Sequence, residues 1–148
     1  MLRKFVMLSM VVVAGLVSGC ASVPMATPEQ DAAARNFAVK PDMANIYVYR
    51  NETMGAAIKM PVALNGKLVG DTASKTFLKL EVSPGKHTLL SKTENDSSLT
   101  IDAIAGRNYF VWQEVKMGAF AARSLLQLVD EATGKAGVAE CKLIEALP

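Results

Sequence analysis

Few side chains in this sequence could act as nucleophiles, bases or metal ligands. The 148 residues include two cysteines, Cys20 and Cys141, and one histidine, His87. A single histidine cannot form a histidine metal cluster, and the sequence has no phosphate-binding glycine loop or dinucleotide motif. His87 could serve a hydrolase as the base, with Asp102 and Ser91 as its partners. A lone histidine just after a Pro-Gly turn is more typical of a strand start, so we expect no catalytic residue, metal or cofactor.

The residues before Cys20 form a leader with two parts. Arg3 and Lys4 give it a positive start, and residues 5–17 are predominantly apolar. A permanent membrane helix needs about 20 apolar residues, so this stretch is too short to be a stable anchor. The pattern is typical of a signal peptide with a helical apolar segment, which we assign to residues 1–19.

The leader ends in a motif that resembles the lipobox of bacterial lipoproteins: Val17, Ser18, Gly19 and Cys20. The resemblance implies cleavage between Gly19 and Cys20, a diacylglyceryl thioether on the Cys20 sulfur, and usually an acyl group on the new amine. Several acyl chains hold a protein at a membrane far longer than one chain does. The alternatives are an uncleaved membrane helix, an ordinary secretory signal cut after Ala26, and a cytosolic protein with a chance apolar start.

The residue after the cysteine bears on the destination of such a lipoprotein. In enteric-type bacteria an aspartate at this position favours retention in the inner membrane, and this sequence has Ala21 instead. The resemblance therefore implies a lipid anchor in the outer membrane of a bacterial envelope, with the domain in the periplasm.

Charge and cysteine content limit the possible partners. Sixteen Lys and Arg residues accompany 14 Asp and Glu, and two of the cations belong to the leader. The rest of the chain is balanced, so we expect no nucleic-acid partner and no polybasic patch for acidic lipid headgroups. If Cys20 is acylated, Cys141 has no disulfide partner within the chain. We expect Cys141 to be a small buried residue, with an intermolecular disulfide or a reactive thiol as the alternative.

The chain divides into the leader 1–19, a lipidated tether 20–43 and a β-sandwich domain 44–148. In the tether, Thr27, Pro28 and Gln30 predict one short helix, because they supply a capping box and a proline at the first helical position.

From residue 44 onward, alternating apolar residues and turn motifs predict short strands. The runs lie at 45–50, 60–64, 67–69, 76–82, 87–93, 99–103 and 109–112. Asn65-Gly66 is a strong hairpin signal, and Pro84-Gly85 supplies the backbone angles of a tight turn. The pattern predicts a mainly β fold, an antiparallel β-sandwich of about seven strands or an open barrel.

The C-terminal part of the chain is less regular. Residues 117–123 are mostly small and suggest a linker, and residues 124–130 suggest a last strand. Residues 131–145 could form a short C-terminal helix, although Gly134 and Gly137 weaken that prediction.

Several strand and turn motifs allow comparison with known families: Ile46-Tyr47-Val48-Tyr49-Arg50, Leu64-Asn65-Gly66-Lys67 with Val69-Gly70, Thr76-Phe77, Val82-Ser83-Pro84-Gly85-Lys86-His87 and Ala105-Gly106-Arg107-Asn108-Tyr109-Phe110. Together they resemble a bacterial lipoprotein family catalogued only as a domain of unknown function, similar in style to the PEGA-type β-sandwich modules. The similarity covers roughly residues 37–145. It implies a fold and an envelope location, and it brings no catalytic residues.

Three aromatic residues leave two interpretations open. If Tyr47, Tyr49 and Trp112 are exposed, they could stack on sugar rings of peptidoglycan or other glycans, or contact a protein. If they are buried, they fill the core of the sandwich.

We therefore predict a non-enzymatic interaction or structural module, attached to the membrane by acyl chains on Cys20, with an envelope protein or glycan as partner. A glycan- or peptidoglycan-binding module that uses the aromatic side chains is the first alternative. An envelope hydrolase that uses His87 is the second.

Overall fold

The structure is a computed structural model, and it describes residues 22–148. The leader, Gly19 and Cys20 lie outside these residues, so the predictions made on them stay predictions. The elements in chain order are α1 (Pro28–Ala34), β1 (Ala44–Arg50), β2 (Met60–Leu64), β3 (Lys67–Thr72), β4 (Thr76–Val82), β5 (Gly85–Ser91), β6 (Ser97–Ala103), β7 (Asn108–Met117), β8 (Ala122–Val129), α2 (Glu131–Ala139) and β9 (Lys142–Leu143).

Two packed sheets confirm the mainly β sandwich. One sheet has the strand order β8-β7-β1-β4-β9, and the other has the order β3-β2-β5-β6. The four-stranded sheet is antiparallel throughout, but in the five-stranded sheet β1 is parallel to β7 and β4 is parallel to β9. The sequence pattern did not indicate these parallel pairs, because local alternation defines the strands and not which distant strands meet.

The hairpin turn predicted at Asn65-Gly66 joins β2 to β3. Both residues have positive φ, 51° for Asn65 and 82° for Gly66, as the common two-residue hairpin turn requires. Ser83 and Pro84 similarly join β4 to β5. The predicted turns therefore set the strand boundaries in this half of the molecule.

The connection predicted at 117–123 is shorter than expected. β7 continues to Met117 and β8 begins at Ala122, so the two form a long hairpin closed by residues 118–121. Small residues concealed the start of β8 because they carry no apolar alternation. The C-terminal helix is also shorter than predicted, and it is followed by the two-residue strand β9.

The space between the sheets holds the main core. Alternation places Ile46 and Val48 of β1 on this inner face, where they meet residues of the second sheet. The cluster consists of Ala44, Ile46, Val48, Val62, Val69, Leu78, Leu80, Val82, Leu89, Ile101, Ala103, Val111, Leu126 and Ile144.

The two helices cover the outer face of the five-stranded sheet and create a second core. Its members are Ala34, Tyr47, Tyr49, Phe77, Phe110, Val138 and Cys141. Gly134 and Gly137 lie on the buried face of α2, and a Cβ at either position would overlap the Phe110 or Tyr49 side chain. The glycines that weaken α2 as a helix are therefore what lets it approach the sheet.

Residues 22–43, which we interpreted as a tether, include a segment that lies directly on the domain. The capping box predicted for α1 is present, with Thr27 and Gln30 hydrogen-bonded to each other's backbone. Before α1, the Ala26 N–H donates to the Leu143 carbonyl (3.1 Å), and Pro24 accepts from the Glu145 N–H (2.9 Å). The chain is thus fixed to the edge of the five-stranded sheet from its first described residues onward.

Candidate functional site

Tyr47 and Tyr49 belong to the core and form no surface platform. Their exposed fractions are 0% and 2%, and burial raises the pKa of each to about 12. The Tyr47 hydroxyl donates to the Ala34 carbonyl (3.1 Å), and its ring stacks on Phe110 with centroids 5.1 Å apart. Trp112 is only partly buried and packs against the same cluster. Of the two interpretations, the structure shows the core.

His87 ties two turns together. Its Nδ1 lies 2.8 Å from the Asn65 amide nitrogen, and its Nε2 lies 2.7 Å from the Ser83 carbonyl. Because the Asn65 Oδ1 already accepts from the Thr88 N–H (2.9 Å), the Asn65 amide nitrogen faces the ring and Nδ1 is the acceptor. Ser91 is buried elsewhere, with its hydroxyl 2.6 Å from that of Ser124. The structure therefore does not bring together the residues of the hydrolase alternative.

Cys141 is buried, as predicted. Its Sγ donates to the Arg50 carbonyl (3.3 Å), and burial raises the pKa of the thiol to about 12. A thiol in this state reacts poorly, because the thiolate is the nucleophile.

Within residues 22–148, no group of three or more His, Cys, Asp or Glu side chains could hold a metal ion. In the same part of the chain, no helix is both long enough and apolar enough to cross a bilayer.

One end of the sandwich, which we call the loop end, consists of the connections 51–59, 92–96 and 118–121. β1 and β7 are parallel, so the chain leaves both strands at this end. The Glu52 carboxylate accepts from the Val115 N–H (3.2 Å), and the Glu94 carboxylate accepts from the Ala121 N–H (3.2 Å). Each of these bonds joins one loop to the β7–β8 hairpin.

A buried arginine holds the longest of these loops. The Arg50 guanidinium is 0% exposed and donates to the carbonyls of Ile58 (2.8 Å), Thr72 (3.1 Å) and Gly55 (3.1 Å). Burial lowers the pKa of Arg50, but an arginine remains charged in proteins. Transferring a cation from water into a protein interior costs on the order of several kcal/mol of free energy. The hydrogen bonds to the three carbonyls must offset much of that cost.

Glu52 is the carboxylate nearest this buried cation in the loop. Burial raises its pKa, although the Val115 N–H, Trp112 and Arg50 oppose the shift. Ser74 also donates to the Glu52 carbonyl (2.5 Å). The loop is therefore fixed through backbone and side-chain bonds rather than by an apolar core of its own.

The loop end exposes large apolar side chains: Met54, Ile58, Met117 and Phe120. Phe120 is 96% exposed and Met117 is 72% exposed. Single exposed apolar residues are ordinary, but several at one end of a rigid scaffold make this end a candidate interaction surface. This surface was not predicted from the sequence, because Phe120 fell in the predicted linker. A large aromatic among Gly and Ala in a turn was the available signal.

The opposite end, which we call the turn end, consists of the short connections 65–66, 83–84 and 104–107. Asn45 is buried here, and its amide donates to the Ala38 carbonyl (2.9 Å) and the Asn108 side-chain oxygen (3.0 Å). Strand β1 thus has a buried polar residue at each end, Asn45 at the turn end and Arg50 at the loop end.

A groove of about 500 Å³ lies between the N-terminal segment, α1 and β9. Met25, Pro28 and Leu143 supply its apolar lining, and its ion pair, Asp31 with Arg35, is already bonded internally. Burial alone would raise the pKa of Asp31, but the hydrogen bonds from Arg35 and the Leu143 N–H lower it. Asp31 thus joins α1 to β9, and Arg35 donates to the carbonyls of Val138 (3.1 Å) and Cys141 at the end of α2.

Comparison with known proteins gives this fold a family. A family model described as "Protein of unknown function (DUF2846)" matches residues 40–124, more than half of the chain. The chain belongs to the DUF2846 family. An uncharacterized protein of Haemophilus influenzae (strain ATCC 51907 / DSM 11121 / KW20 / Rd) is 32% identical over 144 residues, covering 95% of this chain and 85% of that protein. No solved structure matches.

The DUF2846 match divides the molecule. It begins before β1, ends within β8, and includes every connection of both the loop end and the turn end. α1, α2 and β9 lie outside it, so the helical layer that buries Tyr47 and Tyr49 comes from the flanking residues. The match confirms a family of unknown function, as the strand and turn motifs implied.

Proposed function

We propose that this protein is an envelope lipoprotein of the outer membrane, held by acyl chains on Cys20, whose sandwich binds a partner through the loop end without catalysis. One observation carries the proposal: the lipobox cysteine precedes Val23 by three residues, and Val23 already packs on the main core. Cleavage before Cys20 would therefore leave almost nothing of the chain outside the folded unit.

This spacing limits how the domain can sit. Three extended residues span at most about 11 Å, so the acylated cysteine stays close to the sheet edge. Phe120 lies about eight residue steps along the strands from the level of Val23, or roughly 26 Å at about 3.3 Å per residue. A domain anchored through Cys20 therefore presents its loop end away from the membrane, where a partner outside the bilayer can reach it.

Lipidation is tested with Cys20→Ala in cells that process lipoproteins. We expect the wild-type protein to begin at Cys20, to carry the mass of the acyl chains and to fractionate with membranes, and the variant to lose all three properties. The matched control is Cys141→Ala, which removes the other cysteine and should keep the lipid. An intact leader or a free thiol at Cys20 in the wild-type protein would contradict the anchor.

The binding face is tested by placing a photo-crosslinking amino acid at Phe120 in living cells. We expect a discrete crosslinked product, because this side chain is almost fully exposed and points away from the membrane in the proposed arrangement. The same substitution at Ile104, an exposed residue of the turn end, serves as the control. No product at Phe120, or the same product from both positions, would exclude the loop end as the binding face.

A further inference from the structure

We propose that the turn end seats on an anionic lipid surface through Lys67, Lys86 and Arg107. The proposal rests on the lipid anchor at Cys20 for its geometry and adds a second, electrostatic contact. It departs from our expectation of no basic patch for lipid headgroups, because the fold brings to one end cations that are far apart in sequence. The three cations lie at three different connections: Lys67 follows the β2–β3 turn, Lys86 follows the β4–β5 turn, and Arg107 ends the β6–β7 turn. All three are exposed. None forms an ion pair within residues 22–148.

The turns that carry the cations are fixed by hydrogen bonds. His87 joins the turn beside Lys67 to the turn beside Lys86 through its bonds to Asn65 and Ser83. The third turn is tied to β1, because the Arg107 carbonyl accepts from the Asn45 N–H (3.1 Å). Because the backbone of these turns is already ordered, contact with a surface costs mainly side-chain entropy.

Exposed acids also lie near the turn end. Asp102 is the cross-strand neighbour of Lys86, and Glu81 pairs with Lys40 at 3.0 Å. Asp42 is exposed in the turn before β1, and the exposed Asp130 and Glu145 follow β8 and β9. None of these acids forms an ion pair with Lys67, Lys86 or Arg107, so the three cations stay free to contact anionic lipid, where each basic residue strengthens attachment about fivefold.

The direction of the N-terminal segment brings this end to the membrane. The segment is antiparallel to residues 143–145, and β9 is parallel to β4, so the chain traced back from Ala26 to Val23 runs toward the turn end. Ile104, half exposed in the same set of turns, could enter the interface beside the cations. The lipid anchor, the three cations and the exposed Ile104 side chain thus all lie at the turn end.

Positive charge alone does not distinguish the two ends. The loop end also has exposed lysines, among them Lys59, Lys92 and Lys116, of which Lys116 pairs with Glu114 at 3.0 Å. The loop end, however, is far from Cys20. Because only a short stretch of chain joins Cys20 to Val23, the loop end does not reach the membrane that holds the acyl chains. These three lysines therefore provide a matched control.

The experiment uses the mature lipoprotein in phosphatidylcholine vesicles with or without phosphatidylglycerol. A fluorophore is attached at Ala105→Cys in the turn end or at Ala119→Cys in the loop end, and quenching by a headgroup quencher is measured. Cys141 is buried, so only the new cysteine is labelled. We expect the quenching ratio between the two positions to rise at least threefold with phosphatidylglycerol, and to fall again in high salt.

The variant Lys67→Glu, Lys86→Glu, Arg107→Glu should abolish this rise, whereas Lys59→Glu, Lys92→Glu, Lys116→Glu should leave it intact. An equal ratio in both vesicles, or a loss in the control variant, would overturn the proposal. Protein that does not float with any vesicle would instead refute the anchor. In that case, binding of the turn end to lipid is measured by cosedimentation with the anionic vesicles at low salt. For the proposal to stand, the Lys67→Glu, Lys86→Glu, Arg107→Glu variant must bind these vesicles at least tenfold more weakly than the wild type.

Discussion

The two ends of the sandwich are each held by a buried polar residue of the same strand, but with different chemistry. At the turn end, Asn45 uses a neutral amide to hold the incoming segment at Ala38. At the loop end, Arg50 uses a buried cation to hold two carbonyls of residues 51–59 and one of β3. Both residues are almost completely inaccessible to solvent.

The loop end needs stronger hydrogen bonds than the turn end because its connections differ. The turn end has connections of a few residues, whose hydrogen bonds the turn geometry satisfies locally. The loop end has one long connection that exposes Met54 and Ile58 and has little apolar surface to bury. A charged hydrogen-bond donor can order such a loop because its bonds are stronger than neutral ones.

Replacing the cation should have the largest effect on stability. We expect Arg50→Ala to lower the free energy of unfolding by about 3 kcal/mol or more, because it leaves three buried carbonyls without a donor and creates a cavity. Denaturant unfolding measures the change. Hydrogen exchange should also show residues 51–59 opening first.

Asn45→Ala provides the matched comparison at the turn end, where we expect a loss of about 1–2 kcal/mol. Equal losses from the two substitutions, or a smaller loss from Arg50→Ala, would show that the loop end does not depend on its charge.

A smaller effect should appear in the pH dependence of stability, with opposite signs at two carboxylates. Burial raises the pKa of Glu52 at the loop end above its ordinary value of 4.5. The contribution of Glu52 to the free energy of unfolding is therefore complete below pH 4.5, and it is lost as the pH rises through the pKa of the folded state. The pKa of Asp31 in α1 is lowered from 3.8, so its contribution is present above that value and is lost as pH falls.

Glu52→Gln should therefore remove the loss of unfolding free energy that occurs as the pH rises above 4.5. Asp31→Asn should remove the loss that occurs as the pH falls below 3.8. Unfolding curves between pH 2 and pH 8 for the two variants and the wild type provide the measurement. A Glu52→Gln variant with an unchanged profile above pH 4.5 would mean that this carboxylate is effectively solvated.

Local sequence predicted those parts of the fold that depend on neighbouring residues. The Asn65-Gly66 turn, the α1 capping box and most strand positions follow from backbone preferences within a few residues. The start of β8 and the parallel pairs could not be predicted in this way. Small residues carry no period, and the pairing of β1 with β7 depends on segments about 60 residues apart.

The candidate surfaces were less predictable than the fold. Tyr47 and Tyr49 alternate like residues of a two-sided strand, yet α1 and α2 cover them. For Phe120, its place among small residues was the available local signal of exposure, whereas nothing local indicated that Arg50 is enclosed. Exposure depends on which layer covers a face, and that information is distributed along the chain.

By itself, the sequence determined the turns, the strand alternation, the capped helix and the lipobox motif, because each is a property of residues in contact along the chain. Only the tertiary structure decided that Lys67, Lys86 and Arg107 share one end while Phe120 stands at the other. These residues are far apart in sequence, and strand pairing alone brings them together or separates them.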